Sequence, residues 1–147
     1  MQRYKSESEK IVDSYRLRSG ADYTLFGVYD ENYEYRTIVV SSGSLPGGDI
    51  LDSQSSSVDQ PGFQEVLETS QEGQVFYSLV KDLPEGTLKI ALENSGAVQM
   101  VTAPVFDENN YLIGYFGASY SRNISSSLIV NYANTASSEL TRLSRIF

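Results

Sequence analysis

The sequence predicts an α+β domain: an antiparallel sheet of about five to six strands, with one helix at each end of the chain. Three observations carry this. Apolar residues recur at helical spacing near both termini. The middle holds runs rich in Tyr, Val and Thr, broken by Asp, Asn and Gly turn signals. Strand follows strand with only one short helix between, and without the long crossovers that parallel pairing needs. At 147 residues, 40% of them hydrophobic and 20% charged, the chain is sized for one globular domain spanning 1–147.

Each element has its own signal. From Arg3 to Arg18, Tyr4, Ile11, Val12 and Tyr15 form one stripe among charged neighbours, and Ser19-Gly20 supplies a C-terminal cap. Asp22 to Tyr29 and Tyr33 to Ser41 read as two strands of a hairpin about the turn Asp30-Glu31-Asn32. Ser42 to Ser57 is rich in Gly, Ser, Pro and Asp and reads as a long loop. Asp59 and Pro61 open a short helix whose buried side is Phe63, Val66 and Leu67, and Gly73 ends it. Three more strands are expected at Gln74 to Val80, Leu88 to Leu92 and Val98 to Phe106, with turn chemistry across Lys81 to Gly86. After the turn Asp107 to Asn110 comes the longest strand, Tyr111 to Tyr120, where Gly114 and Gly117 mark a bulge or a close approach. Leu128, Ile129, Tyr132, Ala133, Ala136, Leu140 and Leu143 then make a final amphipathic helix, with Asn123 or Ser125 as its N-cap.

Composition excludes several classes of function. A formal net charge of −8 repels phosphate backbones, which argues against nucleic-acid binding. The chain has no Cys and no His, so the thiol nucleophile, the commonest general base and the best zinc ligands are missing. No enzyme activity, metal or cofactor is therefore expected. No run of about 18 apolar residues is present, so this segment is not expected to insert in a membrane. The two acidic turns lack the spacing of a calcium loop. Ser53 to Ser57 has hydroxyls but no base beside them, and Gly47-Gly48 lacks the Lys and Ser/Thr of a phosphate-binding loop. Eleven Tyr and six Phe suit both strands and a binding face.

Two resemblances extend this reading. Ala103-Pro104-Val105-Phe106-Asp107-Glu108-Asn109-Asn110-Tyr111-Leu112-Ile113-Gly114, an apolar strand, an acidic turn and a Gly-bearing strand, resembles the closing hairpin of PAS-like and Cache-like sensor domains, which cup a small ligand. Taken end to end, the chain also resembles the periplasmic domain of the T-even bacteriophage holins. The matching stretches are the charged helix Tyr4 to Arg18, Ser19-Gly20-Ala21-Asp22, Gly43-Ser44-Leu45-Pro46, Gly73 to Tyr77, Ala103 to Tyr111, and Tyr120-Ser121-Arg122-Asn123 with its Arg-ended helix.

That second resemblance implies a periplasmic regulatory domain, its membrane anchor absent, tethered to the host inner membrane in the full-length protein. It would set lysis timing by binding an antiholin or other periplasmic protein, and would form homo-oligomers through the missing anchor. The partner contacts expected on this reading are Tyr4, Tyr15, Asp22, Leu45, Asp49 and Asp52. The alternative reading is a PAS/Cache-like extracytoplasmic sensor that binds a small metabolite.

Overall fold

The computed structural model describes residues 2–43, 54–56 and 58–146. In chain order the elements are α1 (Gln2–Ser19), β1 (Tyr23–Tyr29), β2 (Tyr35–Gly43), β3 (Gln54–Ser56), α2 (Phe63–Gln71), β4 (Phe76–Leu79), a single 3-10 turn (Val80–Asp82), α3 (Thr87–Asn94), β5 (Gln99–Phe106), β6 (Leu112–Tyr120) and α4 (Ser126–Ile146). The strands form one six-stranded sheet in the order β3-β2-β1-β6-β5-β4. Every neighbouring pair is antiparallel. The sequence-predicted α+β layout is the observed one. Among the described residues no helix is long and apolar enough to cross a membrane.

Turn chemistry sets the two long hairpins. Asp30 Oδ1 accepts from the backbone N–H groups of Glu34 and Tyr35, at 2.8 and 3.4 Å. Asp107 Oδ1 accepts from Asn109 and Tyr111 in the same way, at 2.8 and 3.0 Å. Both carboxylates are spent on their own turns.

Alternation along the strands divides the side chains between two layers. Phe26 of β1, Val101, Ala103 and Val105 of β5, and Phe116, Ala118 and Tyr120 of β6 face α1 and α4. These helices meet them with Val12, Tyr15, Ile129, Ala133, Ala136 and Leu140. Burying each of the larger apolar side chains contributes about 1.5–3 kcal/mol. Polar groups in this layer find partners. Thr24 Oγ1 donates to the Val12 carbonyl at 2.8 Å. Buried Gln99 brackets Ile124, donating to its carbonyl at 2.9 Å and accepting from its N–H at 2.8 Å, which fixes the start of α4 to β5. Ser125 is the N-cap position of α4, and its carbonyl accepts from Ile129 at 3.1 Å.

The opposite layer is smaller. Tyr29, Met100, Leu112 and Tyr115 of the sheet pack against Val66 and Leu67 of α2, against Val80 of the 3-10 turn and against Leu83 just after it.

Three local expectations need correction. The strand expected at Leu88 to Leu92 is helix α3. Its apolar residues Leu88, Ala91 and Leu92 lie at i, i+3 and i+4, and a short apolar run is ambiguous between helix and strand. The helix is closed by Gly96 at φ +82°: Gly96 N–H reaches the Glu93 carbonyl and Ala97 N–H reaches the Leu92 carbonyl, both at 3.0 Å. That pairing is a Schellman cap, which needs a left-handed residue. The stretch expected to be loop contains the short strand β3, paired with Tyr35 to Thr37. On α4, Leu128 of the expected apolar stripe is 45% exposed, and Ser137 is buried in the helix's inner face instead.

Candidate functional site

The helices on the second face do not seal it. Between α3 and the sheet runs a cleft of about 210 Å³. Its floor is Leu25 of β1, Tyr115, Gly117 and Ser119 of β6, and Met100 and Thr102 of β5, and one end is walled by Phe63 of α2 and Arg36 of β2. In the sheet register Thr102, Gly117 and Leu25 lie in one cross-strand row. Glycine at 117 keeps that row low: a Cβ there would approach Leu25 Cδ1 to 3.2 Å.

The roof is α3, held at its first turn. Thr87 Oγ1 donates to Gln60 Oε1 at 2.7 Å. Leu88 presses on Gly62 so closely that a Cβ at position 62 would come within 2.8 Å of it. Lys89 Nζ donates to the Lys81 carbonyl at 3.1 Å and to Glu85 at 2.8 Å, and the Glu85 hydrogen bond raises the Lys89 pKa. Gly62 itself starts α2, its N–H capped by Glu65 Oε2 at 2.6 Å. Thr87 in this anchored turn and Ala91 one turn on are exposed along the mouth of the cleft.

Arg36 is the unusual member. It is only 7% exposed. Its guanidinium carbon sits 4.2 Å from the centre of the Phe63 ring and 6.0 Å from that of Tyr115. Its Nε and Nη1 have no hydrogen-bond partner, and neither does the Thr102 hydroxyl. The ion pairs among the described residues are Lys10–Glu7, Arg16–Asp13 and Lys89–Glu85, and none involves Arg36. Burial pushes the hydroxyl pKa of Tyr29 well up, its neighbour Tyr115 adds to this, and Arg36 and Ser70 pull it down. Tyr115 is raised by burial, again with Arg36 opposing.

A β-bulge puts Arg36 here. Phe26 pairs with Val40, but Gly27 pairs with Ile38, so Val39 is an extra residue in β2. Paired residues share a face. Val40 therefore joins Phe26 toward α1 and α4, whereas Arg36 joins Tyr29 on the cleft side. Strict alternation from Val40 would have sent Arg36 the other way, and the sequence reading did not single it out. A charged residue at an inward position of an otherwise apolar-alternating strand was the available signal.

Of the sequence-predicted contact residues, Tyr4, Tyr15 and Asp22 are not among the residues that line the cleft. Tyr15 is 3% exposed and meets Phe116 edge-on at 6.4 Å, so it is a core side chain and not an exposed aromatic. Tyr4 is half-buried against the same core. Asp22 is exposed, and its Oδ2 accepts from the Ser121 N–H at 2.5 Å, tying β1 to the end of β6. Leu45, Asp49 and Asp52 lie outside the described residues, as does Gly47-Gly48. Among the described residues no group of three or more acidic side chains is arranged to hold a metal ion.

No protein-family profile matches the chain, and no curated protein matches it in sequence. Solved structures do match its fold. The blue-light-absorbing GAF domain of Thermosynechococcus elongatus PixJ aligns at TM-score 0.72 and 20% identity, covering 97% of this chain and 87% of that one. A second PixJ structure, of the cyanobacteriochrome receptor in dark and illuminated states, aligns at TM-score 0.77 and 18% identity, covering 99% and 98%. The GAF domain region of a Geobacter sulfurreducens PCA membrane protein aligns at TM-score 0.75 and 9% identity, covering 99% and 95%. These matches overturn the resemblance to the phage holin periplasmic domain, and with it the host-lysis and bacteriophage reading. The stretches behind that resemblance are mostly caps and turns, such as Ser19-Gly20 and Asp107 to Asn110, whose chemistry recurs wherever helices end and strands reverse. The chain is similar to GAF domains along its whole length and has their fold.

Proposed function

We propose that this domain is a sensory module that binds a small organic molecule in the cleft beneath α3. The observation that carries the reading is the cleft itself, about 210 Å³ of mostly apolar surface with a few convergent polar groups, the usual make-up of a ligand site. Among the described residues, the polar side chains lining it are hydroxyls and one guanidinium, without a carboxylate, thiol or imidazole. Such a set binds and orients; it offers no general base, so binding without catalysis is the reading it favours. The fold supports the same conclusion, since similar GAF domains include phycoerythrobilin-bound and phycocyanobilin-bound forms.

The ligand here is smaller than those chromophores. The cleft holds roughly seven waters at ~30 Å³ each and falls below the ~300–1,000 Å³ of pockets for drug-sized molecules. A four-ring tetrapyrrole would not enter without lifting α3. The chain also has no Cys, so no thioether attachment is available.

The test is a fragment screen by ligand-observed NMR on the wild type and on Ser119→Leu, which fills the floor of the cleft from β6. Fragments binding the wild type and losing affinity in a Ser119→Leu protein of unchanged circular dichroism would support the cleft as the site. Equal binding to both proteins, or no binding to either, would sink it.

A further inference from the structure

From Arg36 we infer that the ligand is an organic monoanion, a carboxylate with an apolar body, whose charge is met by this guanidinium. The inference rests on the cleft being the binding site and names the chemistry it selects.

The physical argument begins with desolvation. A guanidinium removed from water must recover its hydrogen bonds or its burial is heavily unfavourable. Arg36 is 93% shielded, being 7% exposed, yet Nε and Nη1 find no acceptor. Its visible partners are ring faces, Phe63 at 4.2 Å and Tyr115 at 6.0 Å. A cation over aromatic faces is held in place, but its in-plane N–H groups stay free to donate. The scarcity of a partner is not a scarcity of acids, for the chain carries 19 Asp and Glu against 11 Lys and Arg. None of the acids among the described residues lines the cleft. An acidic protein that keeps one cation buried without a carboxylate leaves that position for a carboxylate from outside.

The rest of the lining defines the remainder of the ligand. Beside Arg36 the floor is Leu25, Gly117 and Met100, which suits an aliphatic or aromatic body. The Thr102 hydroxyl, buried at 4% exposure and also without a partner, offers one neutral hydrogen bond at the β5 side. Guanidinium prefers a planar carboxylate or a phosphate. The small volume and the single cation among the described lining residues favour the monocarboxylate.

The experiment compares isovalerate and phenylacetate with their primary amides, by calorimetry and by NMR, on wild type and Arg36→Met. The methyl signal of Met100, one of only two methionines, reports occupancy of the cleft, and the Arg36 Nε–H signal reports contact with the charge. The expected result is that an acid binds about tenfold or more tighter than its amide. That preference should vanish in Arg36→Met while the amide's own affinity stays the same, and the Nε–H signal should move with the acid alone. Equal affinity of acid and amide, or a preference that survives Arg36→Met, would overturn the anion inference while the Met100 shift still upheld the cleft. If no acid or amide moves the Met100 signal, the cleft reading fails and the inference falls with it.

Discussion

One sheet serves two layers of different character. Toward α1 and α4, Phe26, Val101, Ala103 and Phe116 are shielded to 2% exposure or less, and Thr24 and Gln99 have their polar atoms matched. Toward α2 and α3 the same strands present Arg36 and Thr102 with unmatched polar atoms beside an open cleft. The first layer is organised for cohesion. The second gives up cohesion to keep a polar and apolar surface available, as binding sites generally do at some cost in stability. The lesson is that strand alternation lets a small domain separate the two tasks by a single residue step.

The largest expected effect probes that contrast directly. Phe116→Ala should cost about 3–5 kcal/mol, because its surroundings are packed on all sides. Leu88→Ala in the roof of the cleft should cost only about 1 kcal/mol, since Leu88 is half-buried and borders space already open. Urea unfolding midpoints measure both. Equal losses would mean that the two layers are packed alike.

A second prediction concerns alkaline pH. Tyr29 and Tyr115 have pKa values raised by burial above the ordinary value near 10. For an acid whose folded pKa is raised, stability is complete below the unfolded value and declines as pH climbs past it. Each should therefore cost about 1.4 kcal/mol per pH unit above ~10 until its folded pKa is reached. Urea midpoints between pH 9 and 11.5 should fall accordingly, and the Tyr29→Phe/Tyr115→Phe protein should show a shallower decline. An unchanged slope would place the alkali-sensitive groups elsewhere, with Tyr120 on the packed side the next to examine.

The smallest effect separates the layers by sign. Thr102→Val removes a buried hydroxyl that has no partner, so it should be neutral or stabilising by up to about 1 kcal/mol. Thr24→Val removes a buried hydroxyl bonded to the Val12 carbonyl, and should destabilise by about 1 kcal/mol. Thermal unfolding of the pair decides it. Destabilisation by both would show that Thr102 is satisfied in solution.

Much of the fold was readable because turn and cap chemistry is local. Asp30 and Asp107 announce their hairpins, Gly20 closes α1, and the stripe from Ile129 to Leu143 marks α4. Leu88 to Leu92 was misread because five residues do not separate a helix from a strand, and the deciding feature was Gly96, four residues beyond. The site was harder. The sequence drew attention to acids and exposed aromatics in the first third of the chain, whereas the cleft is assembled from β1, β2, α2, α3, β5 and β6. Arg36 stood inside a strand already identified, yet its face depends on register against β1, and register is a tertiary property.

The extra residue at Val39 has an evolutionary reading. Removing one amino acid from β2 would restore strict alternation and turn Arg36 from the cleft toward α1, with no change in the chain's charge. A relative lacking that residue would keep the fold and lose the cation from its pocket. A single-codon insertion or deletion is thus a short route by which domains of this shape gain or abandon an appetite for anions, and the length of this hairpin, more than its composition, is the character to compare among them.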